Sequence, residues 1–272
     1  MPPSTKLRVG IVDYLNAWPL AWGFLTGTCD ERFEPIYLPP AEVASELGAG
    51  RLDIGLIPSI EAQRLDGLAI VPGLCVASTH EVRSVILVSK CPIEEIRSVA
   101  LDRNSRTSAA LIEILLEARC GVRVQTSVAA ADVESMLAVA DAALIIGDPA
   151  LAVDRKRYRI WDLAAEWRGL TGHPFVFAVW AVRERFAESG LGISAALAAS
   201  LELGLEGMEA VIARATSELG LGDSTVRSYL TDNLSYRLDE EALEGLTAFY
   251  ERAAKLGLSR HRWPLRFLAP AD

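Results

Sequence analysis

Short apolar runs recur along this chain, and each breaks at its carboxyl end into polar, glycine or proline residues. VGIV runs into DYLNAWP, LDIGLIP into SIE, and AALII into GDPA. Runs this short, bounded by turn residues, read as strands buried on both faces. Helical patterns lie between them, so the chain is restricted to an α/β architecture with a mainly parallel sheet and crossover connections. In open sheets of that kind, ligands are held just beyond the carboxyl ends of the strands. The loops after the strands are therefore where a site is to be sought.

The first series predicts strands over Val9–Val12, Phe33–Leu38, Leu52–Pro58, Ile70–Val76 and Val82–Ser89, with a helix over Ala41–Gly48 after Pro39-Pro40. Around Lys90–Pro92 a second series begins. It carries strands at Val99–Asp102, Val122–Val124 and Ala142–Ile146, and helices over Ser108–Ala118 and Ala130–Ala138. The apolar strand Phe175–Arg183 follows, and the rest reads as helical, over Ile193–Ser217, Ser224–Asn233 and Asp239–Leu256. The second series is inserted into the first. Two lobes are expected, 1–88 with 180–272 and 89–179, joined by Val82–Ser89 and Phe175–Val182 as crossing strands and separated by a cleft.

Composition removes several classes of function. With a formal net charge of −9, nothing supports sequence-independent binding to nucleic acid or to an anionic membrane. Residues 1–8, MPPSTKLR, are polar, and no apolar run is long enough for a signal core or a membrane span, so a cytoplasmic location is expected. Cys29, Cys75, Cys91 and Cys120 are scattered without metal-ligand spacing, which predicts neither a disulfide framework nor a zinc site. GxxxxGK[ST], GxSxG, HExxH and a strand-associated GxGxxG are missing, so nucleotide binding, esterase-type acylation and zinc hydrolysis lack support. No cofactor is indicated.

Four segments carry candidate chemistry. In DYLNAWP, Asp13, Tyr14, Asn16 and Trp18 form either a site wall or an ordinary strand end. In DRNSRTS, Ser105, Arg106, Thr107 and Ser108 precede a run of good helix formers. Free first-turn amides and the positive end of the helix dipole make such a place a carboxylate or phosphate site, with plain capping as the other reading. Gly147 and Asp148 follow a strand: Gly147 permits close backbone approach, and Asp148 is placed to cap a helix. Thr171 and Gly172, in LTGHP, read as a closing loop or a turn; the spacing of His173 does not mark it as a catalytic base. Ser84 lies on a proposed crossing strand, where it meets either a neighbour or a ligand.

As an ordered set, VDYLNAWPL, LDIGLIPSIE, EVRSVILVS, SRTSAAL, IIGDPAL and TGHPFVFAVWA resemble the chorismate dehydratase family of the futalosine route to menaquinone, over about residues 7–185. The sister 1,4-dihydroxy-6-naphthoate synthase shares the fold but differs in the N-terminal loop. His173 replaces a more apolar residue of the family pattern. The resemblance implies an α/β, two-lobed fold like the type II periplasmic binding proteins, and dehydration of chorismate, a small-molecule substrate, to 3-[(1-carboxyvinyl)oxy]benzoate. It also implies Asn16 and Ser84 as the catalytic polar pair. Ser105, Arg106, Thr107 and Ser108 would form the carboxylate cradle, with Ser59, Gly147, Asp148, Thr171 and Gly172 as further substrate-binding positions. A non-catalytic binding protein for a small carboxylate stands as the alternative of a different class, beside the sister enzyme.

Overall fold

The computed structural model describes residues 6–121, 123–187, 191–260 and 264–269. Its strands are β1 (Leu7–Val12), β2 (Phe33–Leu38), β3 (Ile54–Pro58), β4 (Leu68–Ser78), β5 (Val85–Ser89), β6 (Ser98–Asp102), β7 (Gln125–Ala129), β8 (Ala142–Ile146), β9 (Arg159–Asp162), β10 (Phe175–Arg183) and β11 (Ser235–Leu238). Its α-helices are α1 (Trp22–Leu25), α2 (Pro40–Gly48), α3 (Glu61–Arg64), α4 (Thr107–Cys120), α5 (Val133–Val139), α6 (Asp148–Leu151), α7 (Leu163–Thr171), α8 (Ile193–Glu206), α9 (Met208–Leu219), α10 (Asp223–Ser228) and α11 (Glu240–Lys255). The strands form two sheets, in the order β11–β4–β10–β3–β1–β2 and β7–β6–β8–β5–β9. This is a two-lobed α/β fold of the periplasmic-binding-protein kind, its lobes joined by two crossings.

The sheets are mixed rather than mainly parallel. β1 pairs parallel with β2 and β3, and β6 with β7 and β8. Every pairing of β10 and β5 is antiparallel. The cause is the inserted lobe: the chain leaves the first sheet through β4 and returns through β10, so those neighbours must run in opposite directions. The expected boundaries at 88/89 and 179/180 pass through strands, whereas β5 lies wholly in the second sheet and β10 wholly in the first. The crossings themselves are the segments 79–84 and 172–174.

Local sequence explains most elements. Residues β3 and β8 are buried along their whole length, as continuous apolar runs require. Helix α2 opens with Pro40 and turns Ala41, Val43, Ala44 and Leu47 inward. Gly10 is needed because a Cβ there would stand 2.4 Å from the Leu52 side chain, where β1 meets the turn before β3. Helix α4 buries Leu111, Ile112, Leu115 and Leu116 and ends at Gly121 in the left-handed conformation.

The C-terminal third departs from its helical expectation. The helix predicted over Ile193–Ser217 divides at Gly207, and Ser235–Leu238 forms β11, on the edge of the first sheet against β4. Between α10 and β11, Tyr229–Asn233 winds as one π-helical stretch. The predicted strand Val122–Val124 is replaced by β7 at Gln125–Ala129, Val122 itself lying outside the described residues. Behind the cleft, Trp167 of α7 meets Phe175 of β10 and Phe249 of α11 edge-on, at 5.4 and 6.1 Å between ring centres. No helix among the described residues is long and apolar enough to cross a membrane.

Candidate active site

The topology brings the carboxyl ends of β1 and β3 face to face with those of β6 and β8. Between them lies a cleft with about 500 Å³ of empty space, part of it open to solvent. Its apolar wall comes from strand ends: Val12, Leu56, Val76, Phe177, Val85 and Ile146. Its polar wall comes from the loops, with Tyr14 and Asn16 on one lobe and Asn104 to Ser108 on the other. A β-bulge between Val176 and Ala178 bends β10 where it borders the space.

Asn16 lies in a short 3₁₀ turn (Leu15–Ala17) directly after β1. It is half-buried, and its amide has no hydrogen-bond partner among the described residues. On the facing lobe, no side chain caps α4. The first-turn amides of a helix have no intrahelical partner, so they and the dipole present positive character to the cleft. Ser105 Oγ, buried beside them, is likewise unpartnered among the described residues. An uncapped helix start, an unused hydroxyl and a free carboxamide around one apolar space suit a flat, acidic small molecule.

Arg106 lines this space, but its guanidinium is engaged. It donates to Glu61 Oε2 at 3.0 Å and to Ser45 Oγ at 2.7 Å, across the lobes. Glu61, buried, also takes Arg64 at 3.1 Å. An anion here therefore meets backbone amides and hydroxyls rather than an unpaired guanidinium. Thr107 also binds across the lobes, accepting from the Ile60 amide at 3.2 Å and lying 3.4 Å from Ser59 Oγ.

Tyr14 crosses to the other lobe and stacks on Gly147. The backbone there has φ of +67°, and a Cβ would come within 2.6 Å of the Tyr14 ring, so only glycine permits the contact. Asn104 Nδ2 donates to the Tyr14 hydroxyl at 3.3 Å. Burial, then the nearby Asp102 carboxylate, pushes that phenol up to about 12, so it stays protonated. Asp148 accepts the Leu15 amide at 3.1 Å. Burial raises its carboxyl to about 6, the Leu15 bond opposing the shift and Asp13 adding to it.

Several sequence-predicted residues fall elsewhere. Ser59 is sealed behind the wall, donating to the Val176 carbonyl at 2.8 Å. Thr171 and Gly172 are not brought to the cleft: Thr171 Oγ1 donates to the Trp167 carbonyl, and Gly172, with φ of +79°, closes the end of α7. That loop caps a helix. His173 faces Glu244 on α11, at 3.5 Å. Ser84 is fully buried between cleft-lining neighbours; its carbonyl accepts from Gly147 N at 2.8 Å, and its hydroxyl accepts from Tyr229 at 2.7 Å. Among the described residues, no cluster of His, Cys, Asp and Glu is placed to hold a metal ion.

The sequence profile for menaquinone biosynthesis matches residues 7–255. The chain belongs to that menaquinone biosynthesis family. A chorismate dehydratase of Thermus thermophilus is 30% identical over 262 residues, covering 89% of this chain and 93% of that protein. Another, from Campylobacter jejuni, is 31% identical over 168 residues, covering 61% and 58%. Among solved structures, AF1704 from Archaeoglobus fulgidus superposes with a TM-score of 0.78 at 18% identity, over 94% of this chain and 99% of that one. The alkanesulfonate-binding protein SsuA of Xanthomonas axonopodis, solved bound to MOPS, superposes with a TM-score of 0.68 at 18% identity, over 98% and 97%. This member of the menaquinone biosynthesis family thus shares its fold with solute-binding proteins.

Sequence reading missed Asn104 and Phe177 as parts of the cleft. Asn104 sat unassigned in a loop already singled out. Phe177 lies in an apolar run, where pattern alone does not separate a residue facing a cavity from one facing the core.

Proposed function

We propose that this cleft dehydrates chorismate to 3-[(1-carboxyvinyl)oxy]benzoate and water, a hydro-lyase reaction of menaquinone biosynthesis. The observation that carries the reading is the convergence of free Asn16, unpartnered Ser105 and the uncapped start of α4 on one apolar space, in a chain matching chorismate dehydratases over most of its length. One substrate carboxylate sits at the α4 amides with Ser105 and Ser108. The ring lies against Val12, Leu56 and Phe177.

Dehydration removes a ring proton and the neighbouring hydroxyl, and aromaticity drives it. Positioning, hydrogen bonds to developing charge and exclusion of water are the contributions this wall can make. Asn16 and Ser84 orient the substrate and stabilise charge. The substrate's own enolpyruvyl carboxylate takes the ring proton. Lobe boundaries at 79–84 and 172–174, which follow sheet membership, belong to the same proposal, as do a cytoplasmic location and a partner list limited to the small molecule.

The test is an ultraviolet spectrum of the purified chain mixed with chorismate, with products resolved by mass. Loss of one water with a new benzoate-type absorbance is expected; binding without turnover would replace the enzyme by a binding protein. Asn16→Ala should lower kcat by about a hundredfold, as loss of a charge-stabilising donor does, and full turnover in that variant would remove Asn16 from the chemistry. A chorismate analogue without the side-chain carboxylate, turned over normally, would refute the internal base.

A further inference from the structure

The crossing segment 79–84 is held from an unexpected direction. Asn233 Nδ2 donates to the Glu81 carbonyl at 2.9 Å, Arg83 Nη1 donates to Ser228 Oγ at 3.0 Å, and the Tyr229 hydroxyl donates to Ser84 Oγ at 2.7 Å. All three partners come from one short stretch at the end of α10, and Tyr229–Asn233 is its π-helical part. A π-helical turn displaces the side chains that follow it relative to a regular helix, and such turns recur at functional sites. Arg83 has φ of +64°, alone among the described non-glycine residues in that region of backbone space. Surroundings must hold such a residue in place. The Asp162 carboxylate, accepting from Val82 N and Arg83 N at 3.0 and 2.7 Å, and the Ser228–Asn233 stretch do so.

We propose that Tyr229 is a positioning residue for the dehydration, fixing the Ser84 hydroxyl as a hydrogen-bond donor to the substrate. The inference rests on the reading of Ser84 as a member of the site. Tyr229 is fully buried, and burial holds its phenol far above the ordinary range, so it is always protonated. Its bond to Ser84 Oγ is its hydroxyl's bond among the described residues, and in that bond the phenol donates. A serine hydroxyl that accepts there still has its own proton to give. That proton has no acceptor among the described residues. Ser84 sits between Val85, which lines the cleft, and the backbone bond to Gly147, which also lines it. Ser84 is fully buried and does not itself line the cleft, so the acceptor we assign to its proton, a carboxylate or departing hydroxyl oxygen of the bound substrate, must reach it past Val85 and Gly147. Tyr229 thus sets the direction in which Ser84 donates, without touching the substrate.

Steady-state kinetics on chorismate with the full chain test this, using Tyr229→Phe, Ser84→Ala and the double variant, with thermal midpoints alongside. Tyr229→Phe should lower kcat about tenfold, the scale of one misdirected hydrogen bond, with KM within about twofold. In the Ser84→Ala background the same change should cost nothing more, because the group it positions is gone. Wild-type kcat in Tyr229→Phe beside an impaired Ser84→Ala would overturn the role of Tyr229 alone, as would losses that simply multiply in the double variant. Full activity in Ser84→Ala would overturn the reading of Ser84, and this inference with it. If Tyr229→Phe does not fold, Asn233→Ala tests the same clamp: it should keep its midpoint and lose kcat several-fold, and unchanged kcat would overturn the clamp.

Discussion

The lobes meet along two seams of opposite character. At the rear, Trp167 packs edge-on against Phe175 and Phe249, with its indole nitrogen donating to the Pro174 carbonyl at 3.1 Å. At the front, Tyr14, Leu15, Ile60 and Glu61 reach across to Asn104, Asp148, Thr107 and Arg106 through hydrogen bonds and one ion pair. Parting the rear exposes aromatic surface to water, at a cost that scales with area. Parting the front exchanges protein hydrogen bonds for bonds to water, at roughly 0.5–1.5 kcal/mol each. The lobes are thus held by aromatic packing at one seam and by hydrogen bonds at the other, beside the cleft.

The largest effect expected from breaking this contrast is at the rear. Trp167→Ala should lose about 3–5 kcal/mol of unfolding free energy, as removal of a fully buried indole does, read from the urea midpoint and slope. A loss below about 1 kcal/mol would mean that the rear is not the fixed seam. At the front, Gly147→Ala drives a methyl into the Tyr14 ring at a backbone angle that disfavours it. About 1–3 kcal/mol of stability should go, and KM for chorismate should rise because the lobes no longer close. An unchanged KM would detach Tyr14 from closure.

Asp148→Asn probes the front seam through pH. The folded carboxyl titrates at about 6, above its ordinary 3.8. Between those values the folded chain holds a proton that the unfolded chain has released, so stability falls as pH rises through that window. Asparagine keeps an acceptor for the Leu15 amide without the charge. The variant should therefore be more stable by about 3 kcal/mol at pH 8, with the gain vanishing below about pH 4; a gain independent of pH would reject the cause. Smallest is Ser105→Ala, expected to raise KM several-fold, on the order of 1 kcal/mol, with kcat and the unfolding midpoint kept. A matching fall in midpoint would make that serine structural.

Much of this was legible in the residues. β8 and β10 occupy the predicted spans, because unbroken apolar runs ended by glycine, proline or charge admit few other readings. The strand-end loops carrying Asn16 and Ser105 were legible for the same reason. β11 was not: SYRL offers only alternate apolar residues on an edge strand, too short to stand out between helices. The TGHP segment misled because a glycine ending a helix and a glycine approaching a ligand look alike in one dimension.

Burial periodicity and turn chemistry are local properties, so the alternation of strands and helices, the insertion of one lobe in the other and the loops from which the site is built are all written in the residue order. Which side chains meet was left to the packing: Arg106 is tied to a Glu61 that Arg64 shares, Ser59 and Thr171 are turned away, and Tyr229 reaches Ser84 across 145 positions of chain. Hydrogen-bond partners are set by which surfaces the packing presses together, and no local pattern encodes that distance.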